Sequence, residues 1–210
     1  DQITNYAYLG RVGIGNNYPI GGTVMPGNYP SSIENNKLKW EESNQTNLGL
    51  DVSVLNSRVS LTIDAYKKQT YDLLLNAPLP HSTGFDNAVP NIGELQNKGL
   101  EFTLGTVNVK SDVVWKTDFN ISFNKNEVTK LVGQEMVAGD IAGRGNAILI
   151  REGYSLGTFY GYKYGGVDPA NGNVYYINQA GESTFNPTAD DRFVIGNANP
   201  KFTYGLTNTV

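Results

Sequence analysis

No cysteine occurs in the 210 residues. Neither a disulfide framework nor a thiolate metal site can be built, and redox chemistry gives no clue to compartment. Histidine is almost as scarce. His81 is the single one, in "PLPHSTG", with no second His, no Cys and no Ser-His spacing to make a zinc site or a catalytic triad. Basic clusters are missing too. Lys and Arg total 16 against 20 Asp and Glu, for a net charge of -4, and no basic stripe is present to neutralise phosphates, which excludes nucleic acid as a partner. Walker-type Gly-Lys-Ser/Thr and dinucleotide-type Gly patterns are absent, so nucleotide binding has no support and no cofactor is called for. Without a run of about 18 apolar residues, neither a membrane helix nor an uncleaved leader is expected. Membrane strands escape that test, because each carries only a weak hydropathy signal.

Helical periodicity is rare, and 24 glycines and 9 prolines interrupt most windows where it could arise. What the chain has is 39% hydrophobic and 11% aromatic residues arranged by alternation, so the fold class is all-β. In "TNLGLDVSVLNSRVSLTIDAY" (46–66) a two-residue turn at Asn56-Ser57 pairs Val54 with Val59, Val52 with Leu61, Leu50 with Ile63 and Leu48 with Ala65. The other face then holds Asn47, Asp51, Ser53 and Asp64. A second hairpin, turning at Lys110-Ser111, pairs Leu100 with Ile121 and Phe102 with Phe119, and leaves Glu101, Asp118 and Asn120 on the opposite face. "KFTYGLTNTV" (201–210) repeats the alternation as a fifth strand.

The stretches 46–55, 58–68, 98–108 and 113–126 are each about ten residues or more, where soluble strands run about five or six. About nine to eleven tilted residues cross a bilayer. The expected organisation is an outside loop segment over 1–45 and four membrane strands over 46–126, with turns near 56–57 and 110–111 and an outside loop at about 69–97. A long outside loop with small hairpins follows over 127–199, then a fifth, truncated membrane strand over 200–210. Short turns at one end and long loops at the other are the asymmetry of outer-membrane barrels. Trp115, Tyr66 and Tyr71 fall roughly where interfacial aromatic girdles belong. The pattern alone also fits half of a soluble β-sandwich, in which the chain would be a secreted carbohydrate-binding module. Five strands cannot close a membrane barrel, since the smallest have about eight.

Five stretches carry a family likeness in order: 38–75, "NIGELQNKGLEFTLG" (91–105), "VWKTDFNISFNKNEVTKL" (114–131), "GTFYGYKYGGVDP" (157–169) and "DRFVIGNANPKFTYGLTNTV" (191–210). They resemble SusC/RagA-like TonB-dependent outer-membrane transporters. The resemblance implies the C-terminal part of a plugged transmembrane β-barrel of about 22 strands with long extracellular loops, in the outer membrane of a Gram-negative bacterium. It implies a fragment, with the plug and earlier strands elsewhere in the polypeptide and further strands after Val210. It also implies import of glycan oligosaccharides or peptides rather than enzyme activity. The implied partners are a SusD-like surface lipoprotein, the TonB complex reached through the missing N-terminal part, the rest of the barrel and plug, and outer-membrane lipid. On that reading Leu48, Leu50, Val52, Val54, Leu61, Ile63, Phe102 and Phe119 face lipid. Asn47, Asp51, Ser53, Asp64, Glu101, Asp118 and Asn120 face the lumen.

Chemistry beyond architecture is thin. Asp51 and Asp64 fall diagonally on the polar face, and a hydrolase would need them as an acid/base pair; lumen hydrogen bonding is the simpler role. Relatives carry an acidic, calcium-like run after "GVD", but here Asp168, Asn171 and Asn173 are followed by Asn178, Gln179 and Ala180, so no metal site is expected. Tyr160, Tyr162, Tyr164, Tyr175 and Tyr176 are the candidates for contact with sugar or peptide. Small hairpins such as 158–167 against 173–177 would explain them equally well as packing.

Overall fold

Alternation with period two becomes a strand wherever turn chemistry lets the chain reverse. The computed structural model describes residues 6, 8–74, 77–133, 135–140, 143 and 145–210. β1 (Arg11–Ile20) and β2 (Thr23–Ser32) form a hairpin. Gly21 and Gly22 link them with φ of 55° and 81°, as a two-residue mirror-image turn requires. This hairpin lies in the stretch read from sequence as loop, and its Gly-Gly turn was the signal for it. β3 (Glu42–Val54) and β4 (Val59–Leu74) follow. Asn56 and Ser57 have positive φ, and the Arg58 N–H donates to the Leu55 carbonyl at 3.2 Å. Leu55 shares the left-handed conformation, so the reversal starts one residue early. β5 (Ala77–Pro78) and β6 (Asn87–Ala88) form a short ladder, with exposed His81 in the 3-10 turn between them.

β7 (Asn91–Lys110) and β8 (Val114–Leu131) are the longest elements. At about 3.3 Å per residue, the 20 residues of β7 reach roughly 65 Å, more than twice an apolar band of about 25 Å. Strands in this chain therefore run well past the stretches that alternation marks. β9 (Met136–Asp140), β10 (Asn146–Ile150), β11 (Thr158–Val167), β12 (Val174–Ile177), β13 (Ser183–Thr184) and β14 (Arg192–Asn197) build a separate six-stranded sheet. β15 (Thr203–Thr209) then joins the long strands in a five-stranded sheet of order β15-β8-β7-β4-β3.

The chain divides into two compact units, residues 1–42 with 70–94, and residues 43–69 with 95–210. In the first, Asn91 acts as a staple. Its side-chain amide donates to the carbonyls of Lys39 (2.9 Å) and Asp72 (2.7 Å), and its oxygen accepts from the Lys39 N–H at 2.8 Å. In the second, β15 pairs with β8 so that Tyr204 faces Ile121, Leu206 faces Phe119 and Thr207 faces Asp118. The first long hairpin holds its expected partners: Thr62 donates to Asp51 at 2.6 Å.

The second long hairpin differs from expectation by two residues. The bend takes 111–113, Ser122 donates to Glu101 (3.4 Å), and Asn126 donates to Asn97 (2.8 Å). Being even, the slip leaves each side chain on its expected face.

Burial is concentrated in one place. Among the described residues the buried hydrophobic side chains are Leu74, Val128, Leu149 and Ile150, none of them in the apolar rows of the five-stranded sheet. β3 is exposed along its whole length. No second layer covers this sheet among the described residues, and a soluble sandwich would need one.

Candidate functional site: a two-faced sheet and its tyrosine-rich loops

The polar face of the five-stranded sheet is tied together by side chains. Besides the Thr62–Asp51 bond, Ser60 donates to the Gly105 carbonyl at 3.4 Å and Tyr66 donates to Asn124 at 3.0 Å. The Tyr66 ring crosses β7 at Gly99, where a Cβ would lie 2.7 Å from it. Only glycine allows that approach. Asn47 accepts from Gln45 at 2.9 Å, Asn120 stands opposite Gly205, and Asp118 stands opposite Thr207. Ser53, Asp64 and Glu101 belong to the same face by alternation. The arrangement is a hydrogen-bonded wall. Asp51 is occupied as the acceptor of Thr62.

The apolar face is open. Leu48, Leu50, Val52 and Val54 are 75%, 56%, 39% and 48% exposed, while Leu61, Ile63, Phe102 and Phe119 are half-buried. Toward the short turns the band ends in a polar network: Asn108 donates to Thr117 (2.7 Å), and Thr117 and the Trp115 indole donate to Asn208 (2.7 and 3.1 Å). Toward the long loops it passes through Phe123, Phe202 and Tyr204, whose rings lie 6.1 and 6.2 Å apart in succession, and ends at Lys98, Lys125 and Lys201. From Trp115 to Lys125 is ten residue steps, roughly 33 Å along the strand, or about 25 Å along the membrane normal at a tilt of about 40°. That is the height of an outer-membrane apolar band.

Above the lysines the loop sheet has its own core. Leu149 is fully buried and faces Thr158 and Val137 in the sheet. Val128, at the far end of β8, bonds to the backbone of Gly153 (2.9 Å) and Tyr154 (2.8 Å). Asn126 latches the loop to the strand. Its oxygen accepts from Ser155 Oγ (3.1 Å) and the Leu156 N–H (2.8 Å), and Asn199 adds bonds to Ser155 (2.7 Å) and the Leu156 carbonyl (2.9 Å). Sequence reading missed this latch, because "NKNE" looks like a solvated run and the partners are some thirty residues away.

Most of the candidate tyrosines have packing roles. Tyr162 meets Tyr176 edge-on at 5.8 Å and lies under the Arg192 guanidinium at 5.5 Å. Tyr175 covers Gly165 and Gly166 and meets Phe185 at 6.2 Å. The Arg151 guanidinium sits 5.4 Å from the Tyr154 ring and 5.9 Å from the Tyr160 ring. Tyr164, 63% exposed, is the one of the five turned outward. Arg151 also forms a forked pair with Glu135, through Nε to Oε2 and through Nη2 to Oε1 at 2.8 Å. Hydrogen bonding from Arg151 holds the Glu135 carboxyl below its ordinary range and raises the guanidinium in return.

The run 168–173 is a turn. Asp168 accepts from the Ala170 N–H (2.9 Å) and the Asn171 amide (2.7 Å), and Asn171 accepts from the Asn173 N–H (2.8 Å). Asn178 and Glu182 close the β12–β13 hairpin. Asp191 caps the turn before β14, accepting from the Thr188 N–H (2.8 Å), the Thr188 hydroxyl (2.9 Å) and the Gln179 N–H (3.3 Å). Those bonds, chiefly from Thr188, keep its carboxyl low.

A two-faced sheet of this length, banded by aromatic and polar rungs, has a counterpart among known families. The pattern of the TonB dependent receptor-like β-barrel matches residues 3–208. The chain belongs to that family. It is 35% identical over 209 residues to TonB-dependent receptor P3 of Formosa agariphila, covering 90% of this chain and 21% of that protein. With TonB-dependent receptor SusC of Bacteroides thetaiotaomicron it is 36% identical over 172 residues, 76% of this chain and 17% of SusC. The RagAB peptide transporter structure superposes with a TM-score of 0.81 at 26% identity, over 98% of this chain and 22% of the matched chain. The chain thus spans about a fifth of the length of these relatives, which are named as receptors and transporters.

Proposed function

We propose that these residues form part of the wall and extracellular mouth of a TonB-dependent importer in the outer membrane of a Gram-negative bacterium. The observation that carries this reading is the unlayered five-stranded sheet, apolar and exposed on one side and hydrogen-bonded on the other. Lipid covers the row from Leu48 to Val54 with Leu61, Ile63, Phe102 and Phe119. Lumen or plug meets Asn47, Asp51, Ser53, Asp64, Glu101, Asp118 and Asn120. The sheet edges at β3 and β15 pair with neighbouring strands of a barrel of about 22, the plugged class. The loop sheet shapes the mouth and meets a SusD-like surface lipoprotein, and the plug elsewhere in the polypeptide engages TonB. The cargo is glycan oligosaccharide or peptide; the likeness to the RagAB peptide transporter supports the second. Tyr164 is the loop tyrosine placed to touch it.

The test is an accessibility scan of the full-length receptor in lipid bilayers. Single nitroxides at 47 to 54 are expected to alternate, with even positions relaxed by dissolved oxygen and odd ones by an aqueous nickel chelate. Uniform relaxation by the nickel chelate would overturn the reading.

A further inference from the structure

A groove of about 470 Å³ lies where β8 meets the loop sheet, and asparagines from both line it. Asn124 and Asn126 come from the polar face of β8, Asn197 and Asn199 from the end of β14, and Ser155 and Tyr154 complete this polar wall. Asn126 is used up by the latch, bonded at both ends of its amide. The other three are bonded at one end only. Asn124 accepts from Tyr66 at 3.0 Å, Asn197 accepts from the Asn199 N–H at 2.8 Å, and the Asn199 amide donates to Ser155 and to the Leu156 carbonyl. Nδ2 of Asn124, Nδ2 of Asn197 and Oδ1 of Asn199 have no partner among the described residues, and all three side chains are exposed. Each inner bond fixes where the outer end can reach, so a ligand binding there has little side-chain freedom left to remove.

Two donors and one acceptor held in this way suit a group that both donates and accepts, and a hydroxyl is such a group. Charge has a small part in the groove. No carboxylate lines it among the described residues, and of its two lysines Lys125 is paired with Glu127 at 2.7 Å, leaving Lys201. Aliphatic wall is equally sparse, with Val194 and Pro200 alone, where the side chains of a peptide would need more. We propose that this groove binds a neutral ring of an oligosaccharide, its hydroxyls on the free ends of Asn124, Asn197 and Asn199. The Tyr154 ring, with Arg151 over it at 5.4 Å, supplies the flat wall against which the C–H face of the sugar packs. The inference rests on the reading of this chain as the mouth of an importer, and it names sugar as the cargo class met at this point.

The test uses the full-length receptor in detergent, first on a printed array of neutral oligosaccharides of hexose, pentose and deoxyhexose units and a printed array of random decapeptides. The best-bound glycan is then titrated calorimetrically. The Asn124→Thr, Asn197→Ser double variant withdraws both free amino ends, while the new Ser hydroxyl can still hold the turn to the Asn199 N–H. It is expected to bind that glycan at least about tenfold more weakly, because ligand hydroxyls lose their partners. Hydrogen exchange at the Leu156 amide, held by Asn126, should stay as in the parent; if it does not, the same comparison is read on Asn197→Ser alone. Lys201→Gln should change the affinity by less than about threefold, since a neutral ligand offers the ammonium no charge to attract. Failure to bind any neutral glycan overturns the site, and so does unchanged affinity in the Asn variant. Peptides bound by the parent and lost in the Asn variant would make this a peptide groove, and a tenfold loss in Lys201→Gln would make the ligand an anion; either result overturns the sugar assignment. If the nitroxide scan alternates while glycan binding is absent or unaffected, this inference fails and the barrel reading stands; uniform nickel relaxation removes both.

Discussion

Leu149 on β10 is wholly buried, whereas Leu48 on β3 leaves 75% of its surface exposed. Both sit in strands of the same compact unit, and the difference lies in what each sheet is given to pack against. The loop sheet carries its own core: Leu149 and Ile150 on β10, beside β11, with Val128 of β8 buried as well. The five-stranded sheet has hydrogen bonds within its plane and across its polar face, and no second layer over its apolar side among the described residues. Burial of apolar area is the main drive for folding in water, so the loop sheet is organised by its own side chains. On the proposed reading, the long sheet takes its apolar environment from outside the chain.

The largest expected effect is in the loop. Leu149→Ala removes a fully buried side chain and should cost about 2–5 kcal/mol. Hydrogen exchange of the full-length receptor should show the loss in β9–β11 and leave β3, β4 and β7 protected. Deprotection spreading evenly through both sheets would mean that they share one source of stability. On the long sheet the contrasting change is Phe119→Arg, near the middle of the Trp115–Lys125 span. An Arg at the bilayer midplane costs about 2–4 kcal/mol, whereas Asn120→Arg, on the opposite face, should cost well under half of that. Urea titrations in lipid vesicles measure both. Equal costs would break the assignment of the two faces.

How far the sequence reveals this comparison depends on its period. Alternation places Leu48 to Val54 and Phe102 with Phe119 on one face, because a one-residue slip would bury half the polar side chains. It is blind to a slip of two. That is why Glu101 meets Ser122 where Asn120 was expected, with the faces intact. The β1–β2 hairpin has a visible Gly21-Gly22 turn within a stretch that sequence alone gives as loop. Small hairpins around the tyrosines were foreseeable from "GYKYGG" and "VYYI" with Asn171-Gly172 between them. The Asn126 latch was not, since it depends on segments brought together from distant parts of the chain. A single sequence records spacing within a strand far better than registry between strands.

The joint between the two regions gives a smaller and sharper test. Asn126→Ala removes the acceptor of Ser155 Oγ and the Leu156 N–H, which should cost about 1–3 kcal/mol because part-buried donors lose their partner. Exchange should speed up at Leu156 and Thr158 and leave Leu149, within the loop core, nearly as protected as before. Equal loosening at Leu149 would show that the loop core depends on the strand beneath it.

The smallest effect separates the regions by pH. Glu135 is held below its ordinary value of about 4.5, so its pairing with Arg151 adds stability that is fully present above that value. The contribution is lost as pH falls through the lower folded value. Arg151 stays protonated throughout, so the carboxylate alone sets the window. Because the pair is partly exposed, the effect is modest, and it should appear as faster exchange around β10 and the Arg151–Tyr154 turn on acidification from about pH 5 toward 3. Asp191 also titrates low, but its release loosens the Thr188 turn and the Gln179 amide, which can be followed separately. In Glu135→Gln the forked ionic pair is gone at every pH, so the acid-induced change near Arg151 should vanish while that at Gln179 remains. If the acid response near Arg151 survives the substitution, the loop sheet owes its acid sensitivity to some other group.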